Sequence, residues 1–350
     1  MTASMLLFMT CADVMAQQVV ALNNVTDCGQ VMFQSPATAE FEIRNKSGRA
    51  IRVSDVRVGC GCTEVDYPKT DIADGSVFTV KVTYDARTMG HFNKYVDIYT
   101  TGSEEPVMLR IKGNVVREVV GYAGAYDYRL GDISADCNDI EFDDVNSGEQ
   151  PQKKIHILNT TSEPIQPVVM HLPDYLTAEV SPSKILTGRQ GVVTLTLDSR
   201  KLHNMGLTQT SVYLGAFPGD KVNAKKEISV SAVLLPKFDN LTASQLALAP
   251  DIFLSDTDIV LDKSKGKNKL KGELVIRNDG GSTLDIKSLQ MFTVGLQVSL
   301  NKQSLAPGET AKLKVTADSK LLKTARSKPR ILMITNDPDM PKVIINVTLR

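Results

Sequence analysis

A strand-like stretch that occurs three times constrains this chain more than any other feature. Each copy carries inward apolar positions and ends in asparagine: Phe41 and Ile43 before Asn45, Ile155 and Ile157 before Asn159, Leu274 and Ile276 before Asn278. A second alternating stretch follows each, ending in Asp85, Asp198 and Asp318, at spacings of 40, 39 and 40 residues. Its inward positions also correspond: Val80, Val82 and Tyr84; Val193, Leu195 and Leu197; Leu313, Val315 and Ala317. Apolar residues at every second position put one face of a strand on a core and the other in water. A glycine stands before each of these strands (Gly75, Gly191 and Gly308), where a feeding turn is expected.

Turn signals such as Asn45-Lys46-Ser47-Gly48 and Asn278-Asp279-Gly280-Gly281 punctuate the strands. Strands broken by turns about every 8–12 residues, in units of roughly 100 residues, describe an immunoglobulin-like sandwich. The expected fold is therefore all-β: three tandem immunoglobulin-like β-sandwich modules, over residues 17–118, 119–236 and 237–350. Gly121-Tyr122-Ala123-Gly124 and Leu235-Pro236-Lys237 serve as the connections. One helical turn is expected near Thr242 to Leu248, and a parallel βαβ architecture is excluded. Apolar residues at 42% supply real cores, and aromatics at 5% with no tryptophan leave Val, Ile and Thr to favour strands.

The N-terminus reads as a targeting segment. Met5-Leu6-Leu7-Phe8-Met9 is a short apolar run, and Val14-Met15-Ala16 before Gln17 fits a small-residue cleavage site. Residues 1–16 are taken as a secretory signal, with export to the periplasm or cell surface. A lipoprotein would use Cys11, but Thr10 before it is a poor fit. No later stretch approaches the roughly 20 apolar residues a membrane-spanning helix requires. The mature chain keeps Cys28, Cys60, Cys62 and Cys137, too few for a disulfide-dense scaffold.

The Cys60-Gly61-Cys62-Thr63 turn after an alternating strand resembles a family of unknown-function domains common in exported proteins of Bacteroidetes. Ile334-Thr335-Asn336-Asp337-Pro338 before the last strand resembles it too. That family is similar to the ASH and major-sperm-protein branch of immunoglobulin-like sandwiches. The resemblance implies an exported β-sandwich that binds something, and it brings no catalytic residues. The cysteine pair stands only in the first module. Phe142 and Leu261 occupy the register of Cys28 in the other two, a departure that makes Cys28 a candidate disulfide partner.

Cys60, Gly61 and Cys62 are the most chemical-looking residues. Side chains two apart in a strand face one way, and Gly61 allows a tight bend between them. The pair could be a local disulfide, which needs Cα atoms within about 7 Å, a redox pair or a two-thiolate metal site. A metal would want more ligands, and His91, His156, His171 and His203 do not cluster near another cysteine. The structural reading is favoured: a thiol packed as a small hydrophobe, or a bridge to Cys28.

No Gly-x-Ser-x-Gly elbow and no phosphate-cradling loop before a helix is present. Asp71, Asp74, Asp143 and Asp144 sit in expected turns, where aspartate usually accepts from backbone N–H groups. The recurring Asn and Asp anchors read the same way. No catalytic, cofactor-binding or metal-binding residue is nominated, and no enzyme is expected.

Charge is neutral overall but unevenly placed. Lys and Arg stand against Asp and Glu as 12 to 13 in residues 17–118, 10 to 14 in 119–236 and 18 to 12 in 237–350. Lys263, Lys265, Lys267, Lys269 and Lys271 alternate around Gly266, and Lys320, Lys323, Arg326, Lys328 and Arg330 follow. They form either a solvated loop that discourages edge pairing or a contact for an anionic surface: lipid headgroup, polyanionic glycan or acidic protein. Nucleic acid is not expected. The reading as a whole is a non-enzymatic exported binding or scaffold protein of the cell envelope, an adaptor for another envelope protein. The alternatives are a thiol-redox or metal-binding protein using Cys60 and Cys62, and a chaperone-like sandwich completed by a client strand.

Overall fold

In the computed structural model, which describes residues 18–262, 268–291, 295–323 and 329–350, every alternating stretch is a strand. Phe41, Ile43, Ile155, Ile157 and Ile276 have no exposed surface, and neither do Val80, Val82, Val193, Leu195, Leu197, Leu313 and Val315. Side chains of this size contribute roughly 1.5–3 kcal/mol each when fully buried. The residues of period two are thus the cores.

The first eight strands are β1 (Val19–Ala21), β2 (Val25–Met32), β3 (Ala37–Asn45), β4 (Val53–Val58), β5 (Thr63–Asp66), β6 (Val77–Tyr84), β7 (Gly90–Thr100) and β8 (Ser103–Val116). They form two four-stranded sheets, ordered β1-β3-β6-β5 and β2-β8-β7-β4. Phe41, Ile43, Ile98, Leu109 and Ile111 from both sheets share one core. Neighbours are antiparallel except β2 and β8, which run parallel. The same parallel pairing joins Asp139–Asn146 to Glu227–Leu235 and Asp258–Leu261 to Lys342–Leu349. Residues 128–235 supply a five- and a four-stranded sheet, and residues 252–349 supply another two. The architecture is an all-β sandwich. By contacts the chain divides into two units. One runs to Ala125 and adds Ile157–Pro167 and Val180–Val192; the other holds Tyr126–His156, Val168–Glu179 and Val193–Arg350.

The recurring asparagines explain why each strand stops where it does. Asn45, Asn159 and Asn278 are wholly buried. Each donates Nδ2 to the carbonyl four residues on: Arg49 at 2.8 Å, Glu163 at 2.8 Å and Ser282 at 2.7 Å. Each also reaches a distant carbonyl, that of Ile72 at 3.1 Å, Ile185 at 3.0 Å and Leu305 at 2.9 Å. Oδ1 accepts from the N–H two residues on, of Ser47, Thr161 and Gly280. One side chain thereby satisfies backbone groups that would otherwise be orphaned beside the core.

The feeding-turn glycines are Gly75, Gly188 and Gly308, with φ of +74°, +70° and +78°. Their N–H groups donate to the carbonyls of Asn45, Asn159 and Asn278. Gly191, the expected residue in the middle copy, instead lies inside the strand Gln190–Leu197. Asp85, Asp198 and Asp318 each accept from the N–H two residues on, of Arg87, Arg200 and Lys320. Both sets of anchors are turn-makers.

Two glutamines tie down the segment that follows β8. Gln30 accepts from Val120 N–H at 3.0 Å and donates to its carbonyl at 2.9 Å. Gln190 does the same for Tyr122, at 2.7 and 3.1 Å. Gln290 clamps Leu207 in the same way, at 2.6 and 3.1 Å. A primary amide offers one donor and one acceptor side by side, as a neighbouring strand would. The expected helical turn is Ala243–Ala247, closed by a capping box between Thr242 and Gln245.

Candidate functional site

β4 and β5 are edge strands of opposite sheets, so Gly59 to Cys62 carries the chain from one sheet to the other. Within that crossover Cys60 and Cys62 are joined by a disulfide, with Cα atoms 5.3 Å apart. Both cysteines are half-buried. Cys62 is held by its carbonyl, which accepts from Asp85 N–H at 3.1 Å. Thr63, 6% exposed, opens β5, and its Oγ1 lies 3.7 Å from Cys60 Sγ and 3.9 Å from Cys62 Sγ. With the sulfurs bridged, the hydroxyl is the donor to either. A bridge closing three residues removes little chain entropy, about 1.5 kcal/mol against roughly 3 for fifteen.

Gly59 and Gly61 do not have the role the bend suggests. Neither has a positive φ, and a Cβ at either would meet nothing within 4 Å. The backbone would accept other residues there, and each glycine leaves open space at its own position in the turn.

Cys28 is not a disulfide partner. It is a free thiol, as is Cys137. Cys28 sits at the β2 bulge between Asp27 and Gln30, half-buried against the first core. Burial, with Asp27 beside it, pushes its pKa up to about 12. Burial and then Asp136 push Cys137 up to about 12 as well. The pairing of Cys60 with Cys62 follows from proximity along the chain. Neither remaining thiol has the low pKa of a reactive cysteine.

Of the nominated lysines, Lys263, Lys265 and Lys267 lie outside the described residues. Lys269 and Lys271 are exposed on the strand Lys269–Asn278, where the register with Thr310–Asp318 puts them on one face with Lys312 and Lys314. Glu273 and Asp318 share that face. The four carboxylates have structural partners. Asp71 pairs with Arg52, Asp74 accepts from Gly48 N–H at 3.0 Å, Asp143 faces Lys153 at 3.4 Å and Asp144 pairs with Lys342. Asp143 and Asp144 stand in the strand Asp139–Asn146 at its bulge, not in a turn.

The sheet β2-β8-β7-β4 carries an outward face that the sequence does not advertise. Register sets Tyr95 opposite Arg110, Asn93 opposite Lys112, His91 opposite Asn114 and Asp97 opposite Met108. β4 adds Arg57 opposite Asp97 and Asp55 opposite Tyr99. Tyr95 is 52% exposed and Met108 63%. Guanidinium groups lie over both tyrosine rings, Arg57 4.5 Å from the Tyr99 centroid and Arg110 5.6 Å from that of Tyr95. Arg110 Nε donates to Asn93 Oδ1 at 2.7 Å. A cleft of about 350 Å³ opens beside these residues, lined by His91, Asn93, Arg110, Lys112, Asn114 and Asp27 among others. Its Asp27 wall is already occupied: Oδ1 accepts from Gly29 N–H at 2.7 Å and Ser181 Oγ at 3.0 Å, and Lys112 Nζ lies 3.5 Å from Oδ2. No group of three or more His, Cys, Asp or Glu side chains placed to hold a metal ion occurs among the described residues.

Residues 20–115 match a family model described as a protein of unknown function (DUF1573). That stretch takes in β2 to β7, the cysteine crossover and most of the outward face. No curated protein matches the chain. Among solved structures, a Porphyromonas gingivalis W83 protein of unknown function is 20% identical, with a TM-score of 0.51 over 63% of this chain and 100% of its own. Its likeness is one of fold. The ASH/PapD-like domain 7 of human CEP192 is 9% identical, with a TM-score of 0.27 over 34% of this chain and 99% of its own. The YadV chaperone is 16% identical, with a TM-score of 0.22 over 61% and 98%.

Proposed function

We propose that the protein is a non-enzymatic binding or scaffold protein of the cell envelope, exported after loss of residues 1–16, that holds another envelope protein. The observation behind this reading is the outward face of β7 and β8. Tyr95 and Met108 stand there exposed, with half-buried Arg110 between them in register, beside a cleft. Tyrosine and arginine are enriched at the centres of protein–protein contacts: tyrosine buries large area with few rotors, and arginine offers directed, forked hydrogen bonds. The recurring polar residues at the turns, by contrast, are already bonded to backbone.

The lysine face supports an additional contact with an anionic surface. Lys269, Lys271, Lys312 and Lys314 gather on one side of a sheet, where their charges act outward over about 8 Å at physiological ionic strength.

The test is photo-crosslinking in intact cells from a benzoylphenylalanine placed at Tyr95 or Met108. One discrete adduct is expected from both positions and none from Thr38, on the opposite sheet. Equal adducts from all three, or none from Tyr95 and Met108, would remove the face from the reading.

A further inference from the structure

We propose that the Cys60–Cys62 bridge is a thiol-exchange site, opened and closed by an external dithiol while the sandwich stays folded. Four observations meet there. The half-buried bridge lies in a crossover between edge strands, outside both ladders, so breaking it disturbs neither. Gly59 and Gly61 flank the bridged cysteines in the chain, and a Cβ at either would meet no neighbour within 4 Å, although no backbone strain demands glycine at either. Thr63 offers one hydroxyl to both sulfurs. And the two free thiols are half-buried with raised pKa values, so both are weak competitors for the bridge within the chain.

A thiolate of the dithiol attacks one bridge sulfur, forming a mixed disulfide and expelling the other cysteine as thiolate. A donor to that thiolate lowers its basicity, and less basic thiolates leave faster. Thr63 Oγ1 is placed to be that donor. The second thiolate of the dithiol then attacks its own sulfur of the mixed disulfide and releases the remaining cysteine. Two electrons pass from the dithiol, which becomes a disulfide, to Cys60 and Cys62, which take up protons as thiols. The reverse sequence restores the bridge. The bond from Asp85 N–H, just after β6, to the Cys62 carbonyl does not pass through the bridge, so it can hold the crossover when the bridge opens.

The experiment uses the folded mature chain with dithiothreitol as the dithiol, followed by maleimide labelling and peptide mass analysis. Both Cys60 and Cys62 should label with the fold retained by circular dichroism, and faster than Cys28 and Cys137, whose raised pKa values slow them. Gly61→Val should slow reduction about tenfold by filling the open side, and Thr63→Val should slow it by a similar factor through loss of the donor. Thr63→Val could weaken the fold, since Thr63 is buried; the Gly61→Val rate then decides alone. A bridge that opens only when the chain unfolds in urea would overturn the proposal. So would reduction of Gly61→Val at the unaltered rate.

Discussion

The side-chain amide of Asn278 donates at 2.9 Å to the carbonyl of Leu305, and the contact is wholly buried. Asn45 and Asn159 make the same contact to Ile72 and Ile185. Each asparagine closes the gap between a strand's end and a turn that would otherwise leave carbonyls dry. Replacing any of the three by alanine strands at least two acceptors, and each orphaned buried group costs about 1–3 kcal/mol. Losses of about 2–4 kcal/mol are expected for Asn45→Ala, Asn159→Ala and Asn278→Ala, read from urea midpoints. A loss under half that at all three would show that water replaces the amide.

Gly75, Gly188 and Gly308 should respond to substitution through backbone conformation. A side chain in the left-handed region costs roughly 1–2 kcal/mol, and a Cβ at Gly75, Gly188 or Gly308 meets no neighbour within 4 Å. Alanine there should therefore cost about that much, and asparagine less, by thermal or chemical denaturation. Equal stability for Gly188→Ala and the unaltered chain would count against the left-handed turn.

The anchors at the strand ends carry an acid dependence. The Arg200 guanidinium, bonded to Asp198, holds that carboxyl down to about 2, with the Arg200 N–H adding to the effect and desolvation opposing it. A depressed folded pKa contributes stability that is complete above the ordinary carboxylate value, about 3.9, and is lost as pH falls through the folded value. Asp198→Asn should flatten the fall of stability between roughly pH 4 and pH 2. The check is a series of urea midpoints across that window; an unchanged slope would mean the Arg200 contact is spent equally in the unfolded chain.

Much of the fold is legible in the residues themselves, because period-two alternation and turn residues act within a few positions. Phe41, Ile43 and Asn45 declare a strand, its inner face and its end together. Gly188 escapes notice because Gly191 sits nearer the strand, and only the backbone angle distinguishes them. The cysteines are visible, but their pairing depends on how the crossover bends. Tyr95 and Arg110 belong to different strands and meet only through register, so neither has a local signature. Gln30, Gln190 and Gln290 are hidden for the same reason: a clamp on distant backbone looks like any surface amide.

The lysine face makes a salt-dependent claim. Serine at Lys269, Lys271, Lys312 and Lys314 should weaken binding to phosphatidylglycerol vesicles and flatten its dependence on salt, since exposed charges are screened within about 8 Å at 0.15 M. Cosedimentation across a salt series reads both. An unchanged salt slope would reduce the four to a solvated surface.

The most direct test of the binding account is the affinity of the Tyr95→Ala, Arg110→Ala chain for the protein captured by crosslinking at Tyr95. Residues that anchor an interface cost about 2 kcal/mol or more on truncation, which is roughly thirtyfold in Kd for one such loss. The account expects at least that loss, with the melting temperature unchanged because both side chains point away from the core. Unaltered affinity in a fully folded double variant would contradict it.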